Sequence, residues 1–338
     1  MVESQMPLQE ATALVEEVID EVETVVIADR DFLENVMLGV VTRGHILLED
    51  VPGTGKTLTA NAFARVLNLS FSRIQFTPDL LPKDVLGTNV FNETDGTFEF
   101  QEGPIFGNVI LGDEINRAPP KTQAAMLETM AEQQVTVEGE TRDLPDPFLV
   151  IATQNPVEQE GTFPLPEAQV DRFLVKDTLG QPDREGKVEL LRRRADRFQS
   201  IPEAEPMIDD PERILALQRV PERIRVHEDL LGYIAEIVER THEDHRSQVG
   251  VSPRGLQRLF EASRARAVIE GREYVTPGDI QRIANPVLSH RVVLSPQAEV
   301  NNVRKQQVVQ DIIDDVSVPT IEDADGGGET EAVSGVVQ

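Results

Sequence analysis

Apolar residues along this chain change their period twice. Over residues 8–40 they recur three or four apart, with Leu14, Val18, Val22 and Val25 on one stripe, which predicts helix. Strand-like segments then take over at Ile46–Leu48, Ser72–Gln75, Val109–Leu111 and Phe148–Ala152, and helical spacing returns between them at Leu58–Leu67 and Lys121–Glu132. Runs as brief as Val109-Ile110-Leu111 suit strands buried on both faces. Strands that alternate with helices predict an α/β fold with a parallel sheet covered on both sides. From about Pro182 the strand pattern fades, and 183–197, 212–219, 228–246, 254–270 and 277–289 read as helical.

This pattern divides the chain into an α/β core over 1–180, a small α-helical domain over 181–318 and an acidic tail over 319–338. The tail, with Gly326-Gly327-Gly328, is too polar to pack and is expected to be disordered. Two hairpins interrupt the core. One occupies 87–104, with a turn at Asp95-Gly96; the other occupies 134–144, around Glu138-Gly139.

Composition narrows the class. With 39% hydrophobic and 27% charged residues in 338, a globular protein is expected. No apolar run reaches the roughly 18 residues of a membrane span, and Met1-Val2-Glu3 opens no secretory signal, so a cytoplasmic protein is expected. The chain has no cysteine, which excludes disulfides and thiolate metal sites. The formal charge is −28, and only six of the 32 basic residues are lysine. An acidic, lysine-poor surface predicts a salt-adapted organism and disfavours sequence-independent nucleic-acid binding.

Chemistry concentrates where strand gives way to helix. His45-Ile46-Leu47-Leu48 leads into Glu49-Asp50-Val51-Pro52-Gly53-Thr54-Gly55-Lys56-Thr57, followed by the helical segment that opens at Leu58. Strand, glycine loop, Lys-Thr and helix in that order make a phosphate-binding loop, so residues 50–58 are assigned to nucleotide binding. Lys56 can reach the β/γ-phosphates, and the Thr57 hydroxyl can take one Mg²⁺ position. The loop departs from its consensus at Asp50, which stands where a glycine is expected. The strand-like run Val109-Ile110-Leu111 ends in Asp113-Glu114. Asp113 can hold Mg²⁺, usually through water, and Glu114 can polarise or deprotonate the water that attacks the γ-phosphate. The run Phe148–Ala152 leads to Asn155, whose amide can orient that water.

With these motifs the chain resembles a MoxR-type AAA+ ATPase over about residues 10 to 300. Ile74–Pro82, Asp113–Gln123, Ala152–Pro156, Leu165–Phe173 and Ser252-Pro253-Arg254 carry the likeness beyond the phosphate loop. The resemblance implies a P-loop AAA+ core with a helical lid, ATP and Mg²⁺ as ligands, and a homo-oligomeric ring, most often a hexamer. Arg172 then matches the arginine finger that reaches a neighbouring subunit, and Arg254 matches the second sensor. Position 28–29 is Ala28-Asp29 where a glycine-glutamine pair often stands. The implied client is a protein, often with a von Willebrand factor A-type domain, and the implied outcome is maturation or metal-cofactor insertion. The hairpins would face the pore or a partner.

Other residues read more plainly. His242 and His245 lack a third ligand at metal-like spacing and are expected to be solvated loop residues. Arg192-Arg193-Arg194 is expected on a solvated helix face. An ATP-binding switch with negligible turnover, a chelatase-like motor subunit and a nucleic-acid motor are the alternatives, the last disfavoured by the acidic surface.

Overall fold

A computed structural model describes residues 5–94, 96–156, 161–195 and 203–320. Asp95 of the first hairpin turn and the tail beyond Thr320 lie outside the described residues. The centre is a five-stranded, all-parallel sheet in the order Phe71–Gln75, Val109–Asp113, Leu149–Gln154, Ile46–Glu49, Val175–Asp177. The edge strand Val175–Asp177 is absent from the sequence reading. Its apolar run, Phe173-Leu174-Val175, passes at once into Lys176-Asp177 and is too short to register as a strand.

Each face of the sheet has its own core. Ile46, Leu48, Val109, Leu111 and Ile151 face the helices Leu8–Val25, Arg30–Val41 and Lys56–Val66, in a cluster that continues into the C-terminal helices. Leu47, Ile110, Val150 and Ala152 face the opposite way, onto Met126, Leu127 and Met130 of the helix Pro120–Glu132. Alternate residues of one strand thus serve two cores, as period-2 geometry requires.

Register aligns the strand ends. Gln75 pairs with Asp113, Glu49 with Gln154 and Leu48 with Asp177, so these residues crowd the carboxyl edge of the sheet. In open parallel sheets that edge is where ligands bind. At the amino edge, the Leu174 N–H donates to the His45 carbonyl (2.8 Å).

The N-terminal helical stretch is two helices, Leu8–Val25 and Arg30–Val41, broken over residues 26–29. C-terminal to the sheet come the helices Arg184–Ala195, Glu212–Gln218, Glu228–Glu243, Pro253–Ile269, Pro277–Leu288 and Lys305–Asp315. A small strand pair, Ser247–Val249 with Val293–Leu294, joins them, a feature the helical spacing does not foretell. His242 lies in the last turn of Glu228–Glu243, with its Nε2 2.9 Å from the Val251 carbonyl, so it is a helix residue and not a loop residue. His245 is exposed in the turn that follows. Arg192–Arg194 close the helix Arg184–Ala195, where Glu189 pairs with Arg192 and Arg193.

Both hairpins form, as Gly87–Asn92 with Thr97–Glu102 and as Gln134–Val137 with Glu140–Asp143. Glu138 and Gly139 both take positive φ, the geometry of a tight hairpin turn. Among the described residues no helix is long and apolar enough to cross a membrane.

Candidate functional site

The phosphate loop joins the strand Ile46–Glu49 to the helix Lys56–Val66. Gly53 (φ 86°) and Gly55 (φ 106°) take left-handed conformations that a side chain resists, and they turn the loop around the helix N-terminus. Lys56 folds back over that loop, and its Nζ donates to the carbonyls of Asp50 (2.9 Å) and Val51 (3.3 Å). Thr57 and Leu58 follow on the exposed face of the first turn.

Asp50 is buried, and its carboxylate points away from the loop mouth. It accepts from the backbone N–H groups of Leu179 (2.6 Å) and Gly180 (3.2 Å), the segment that leaves the sheet for the C-terminal helices. The residue in the glycine position therefore straps this connector to the phosphate loop. Beside it, burial pushes the Asp177 carboxyl up from its ordinary pKa, while a hydrogen bond from Asn35 (2.8 Å) opposes the shift.

Asp113 and Glu114 stand across the sheet edge from the loop. Thr153, fully buried, donates to Asp113 Oδ1 (2.8 Å) and accepts from the Glu114 N–H (2.9 Å). Arg73 Nη2 donates to Asp113 Oδ2 (2.7 Å). Glu114 occupies the left-handed region (φ 58°, ψ 51°), a position that is strained for a residue with a side chain. Its Oε2 accepts from Gln75 Nε2 (3.1 Å) and Arg117 Nη1 (3.0 Å). Asn155 is buried one residue past the strand Leu149–Gln154, beside a cavity of about 270 Å³ that Asn116, Lys176 and Lys305 also line.

Gln75, Thr153, Arg73 and Arg117 are absent from the sequence assignment. Their signal is positional: Gln75 ends its strand opposite Asp113, and Thr153 follows Ala152, which pairs with the Gly112 that precedes Asp113.

The two arginines occupy another place. Arg172 sits just before Leu174, at the amino edge, and its Nη1 donates to the Leu127 carbonyl (2.5 Å). His45 to Asp50 is five residues of extended chain, about 16 Å at roughly 3.3 Å per residue, so Arg172 and the phosphate loop lie at opposite ends of the sheet. Arg254 opens the helix Pro253–Ile269. The cap of that helix, Ser252, donates to the Asp171 carboxylate (3.3 and 3.4 Å), which groups Arg254 with Arg172 and away from Lys56.

The residues brought to the carboxyl edge suit a nucleotide. Positive-φ glycines, a helix N-terminus and Lys56 form a phosphate cradle, and the Thr57 hydroxyl with the Asp113 carboxylate are the hard oxygen donors that Mg²⁺ takes.

Comparison with known proteins agrees with this geometry. The family described as ATPase family associated with various cellular activities (AAA) matches residues 45–175, and an AAA lid domain matches 239–312. The chain is 44% identical over 301 residues to the uncharacterized protein YeaC of Bacillus subtilis, covering 89% of this chain and 93% of that one. It is 39% identical over 315 residues to the chaperone MoxR1 of Mycobacterium tuberculosis, covering 90% and 82%. A match of 26% over 216 residues, covering 60% and 56%, is to a magnesium-chelatase subunit ChlI homolog of Methanocaldococcus jannaschii. Among solved structures, a candidate ATPase from Cytophaga hutchinsonii superposes with a TM-score of 0.86 at 40% identity, covering 93% of this chain and 97% of that one.

Proposed function

The chain belongs to the MoxR-type AAA+ ATPases, and on that premise we propose that it hydrolyses Mg-ATP in a hexameric ring of identical subunits to remodel or mature a protein client. The observation that carries this reading is the division of the machinery between two ends of one sheet. Lys56, Asp113, Glu114 and Asn155 gather at the carboxyl edge, while Arg172 and Arg254 gather elsewhere. A chain built this way completes its site only with a second copy.

The backbone of residues 50–55, with Lys56, binds the phosphates from below. Thr57 and Asp113, the latter through water, would hold Mg²⁺, which when bound neutralises phosphate charge. Glu114, on exchanging Gln75 and Arg117 for the attacking water, takes its proton, and Asn155 orients that water. Arg172 of the neighbouring copy meets the charge that develops on the γ-phosphate, a contribution of about 10³–10⁵ in rate in comparable phosphoryl transfers. Arg254 travels with it. Residues 181–318 act as the lid and 1–180 as the core, and the Asp50 strap carries nucleotide-dependent motion between them.

The hairpins are the client-facing elements in this reading. Val90, Phe91 and Phe98 are about half or more exposed at the tip of the first one, an apolar patch on a chain of charge −28. A client with a von Willebrand factor A-type domain, and metal-cofactor insertion as the outcome, extend the proposal through the family resemblance. A chelatase-like motor subunit is the second reading, favoured by the match to the magnesium-chelatase homolog.

Glu114→Gln tests the assignment. The variant keeps its affinity for ATP and loses about 10²–10⁴ in turnover, the range of a general base. Unchanged turnover would remove Glu114 from the mechanism, and tight binding without turnover in the parent would favour an ATP-binding switch.

A further inference from the structure

Arg291 has no part in the machinery above, yet it is among the most completely engaged side chains in the molecule. It ends the turn Ser289–Arg291 that follows the helix Pro277–Leu288, and its side chain is 1% exposed. A guanidinium offers five N–H donors in a fixed fork. Here Nε donates to Asp171 Oδ1 (2.8 Å), Nη2 to the carbonyls of Phe173 (2.6 Å) and Asp171 (3.2 Å), and Nη1 to the carbonyls of Leu174 (3.2 Å) and Val287. Four of these five acceptors belong to the segment 171–174, and they hold the backbone on both sides of Arg172.

The same side chain borders the start of the second-sensor helix. The Asp171 carboxylate that Arg291 grips also accepts from Ser252, the cap of the helix bearing Arg254. A Cβ on Gly255 would lie 2.7 Å from Arg291 Cδ, so the first turn of that helix rests on the Arg291 stem with no room between them. The finger segment, the helix start and the turn therefore meet on one buried cation. Burying an arginine is costly, and it is offset here only because every donor is matched.

We propose that Arg291 is a positioning residue for ATP hydrolysis, fixing Arg172 and Arg254 to one another so that both reach a neighbouring copy's phosphates as a single unit. The proposal rests on the reading that Arg172 acts across subunits. It predicts a defect in the trans-acting face of a subunit whose own nucleotide pocket stays intact. Arg291→Lys keeps a positive charge beside Asp171 but cannot span four acceptors.

The test measures steady-state hydrolysis by the full chain, alone and in mixtures. Arg291→Lys is expected to lower kcat about 10²-fold, the loss that follows an ångström of misplacement, while KM for ATP changes less than about twofold. Mixing it with Lys56→Ala, which has no working pocket but an intact finger face, is expected to restore activity well above the sum of the two alone. The control is the mixture of Arg172→Ala with Lys56→Ala. If that control recovers no activity, action across subunits is wrong and the proposal falls with it. If the control recovers and Arg291→Lys either keeps full kcat or is not rescued, the positioning role alone is overturned. Should Arg291→Lys fail to fold, the double variant Ser252→Ala, Asp171→Asn loosens the same clamp and is held to the same outcomes.

Discussion

Asp50 shows what one side chain does in a loop otherwise read from its glycines. At the position where the phosphate-loop pattern carries glycine, its carboxylate gathers two backbone N–H groups from Leu179 and Gly180. Hydrogen bonds to a charged group, and the cost of leaving such donors buried and unpaired, each run to about 1–3 kcal/mol. Asp50→Ala is therefore expected to lower unfolding stability by about that amount and to weaken ATP binding, because the connector beside the cradle loses its tether. Isothermal titration with ATP and urea denaturation of the same variant check both effects; parental values for each would mean that the strap carries no load. The phosphate-loop residues, Asp113 and Glu114 can be nominated from the sequence because they lie in consecutive residues. Gln75, Thr153 and Arg291 cannot, because their contacts join residues far apart in sequence.

At the scale of elements, the hairpins are braced against each other and leave their apolar tip outside. Asn89 Nδ2 donates to Glu138 Oε2 (2.7 Å) across the pair, and Arg142 stacks over Phe100 at 4.2 Å. Phe91 and Phe98 touch only on the surface, with ring centroids 5.2 Å apart. Removing these rings costs little packing. Phe91→Ser with Phe98→Ser is expected to fold with an unchanged thermal midpoint and basal hydrolysis, and to lose the stimulation of hydrolysis that the proposed client would give. Retained stimulation would place the client elsewhere. The sequence exposed both hairpins through their turn chemistry and four of five sheet strands, three of them through apolar runs. It did not expose the break over 26–29, where Val26-Ile27-Ala28 continues the apolar spacing while Asp29 adopts extended backbone and starts a new helix. Nor did it expose the helix Lys305–Asp315, whose buried Val308, Val309, Ile312 and Ile313 sit among polar neighbours.

The whole molecule carries a charge of −28, with ten acidic residues against one arginine in its first 35 positions. Repulsion among such charges acts over about 10 Å at 0.1 M salt and about 3 Å at 1 M. If the surface is salt-adapted, the thermal midpoint rises steadily as KCl is raised into the molar range, followed by circular dichroism. A midpoint indifferent to KCl would mean the acidity serves another purpose. The same repulsion opposes assembly at low salt, so formation of the proposed ring is expected to depend on salt as well.

The central claim is that each site is finished by a neighbour. Specific ATPase activity measured against protein concentration, in high KCl with Mg²⁺ and with Glu114→Gln as the control, tests it most directly. The expected result is a steep rise in activity per subunit as concentration increases, abolished in the control. Activity per subunit that stays constant down to concentrations at which the chain is monomeric by light scattering, and is abolished in Glu114→Gln, would show a site complete in one chain and contradict the account.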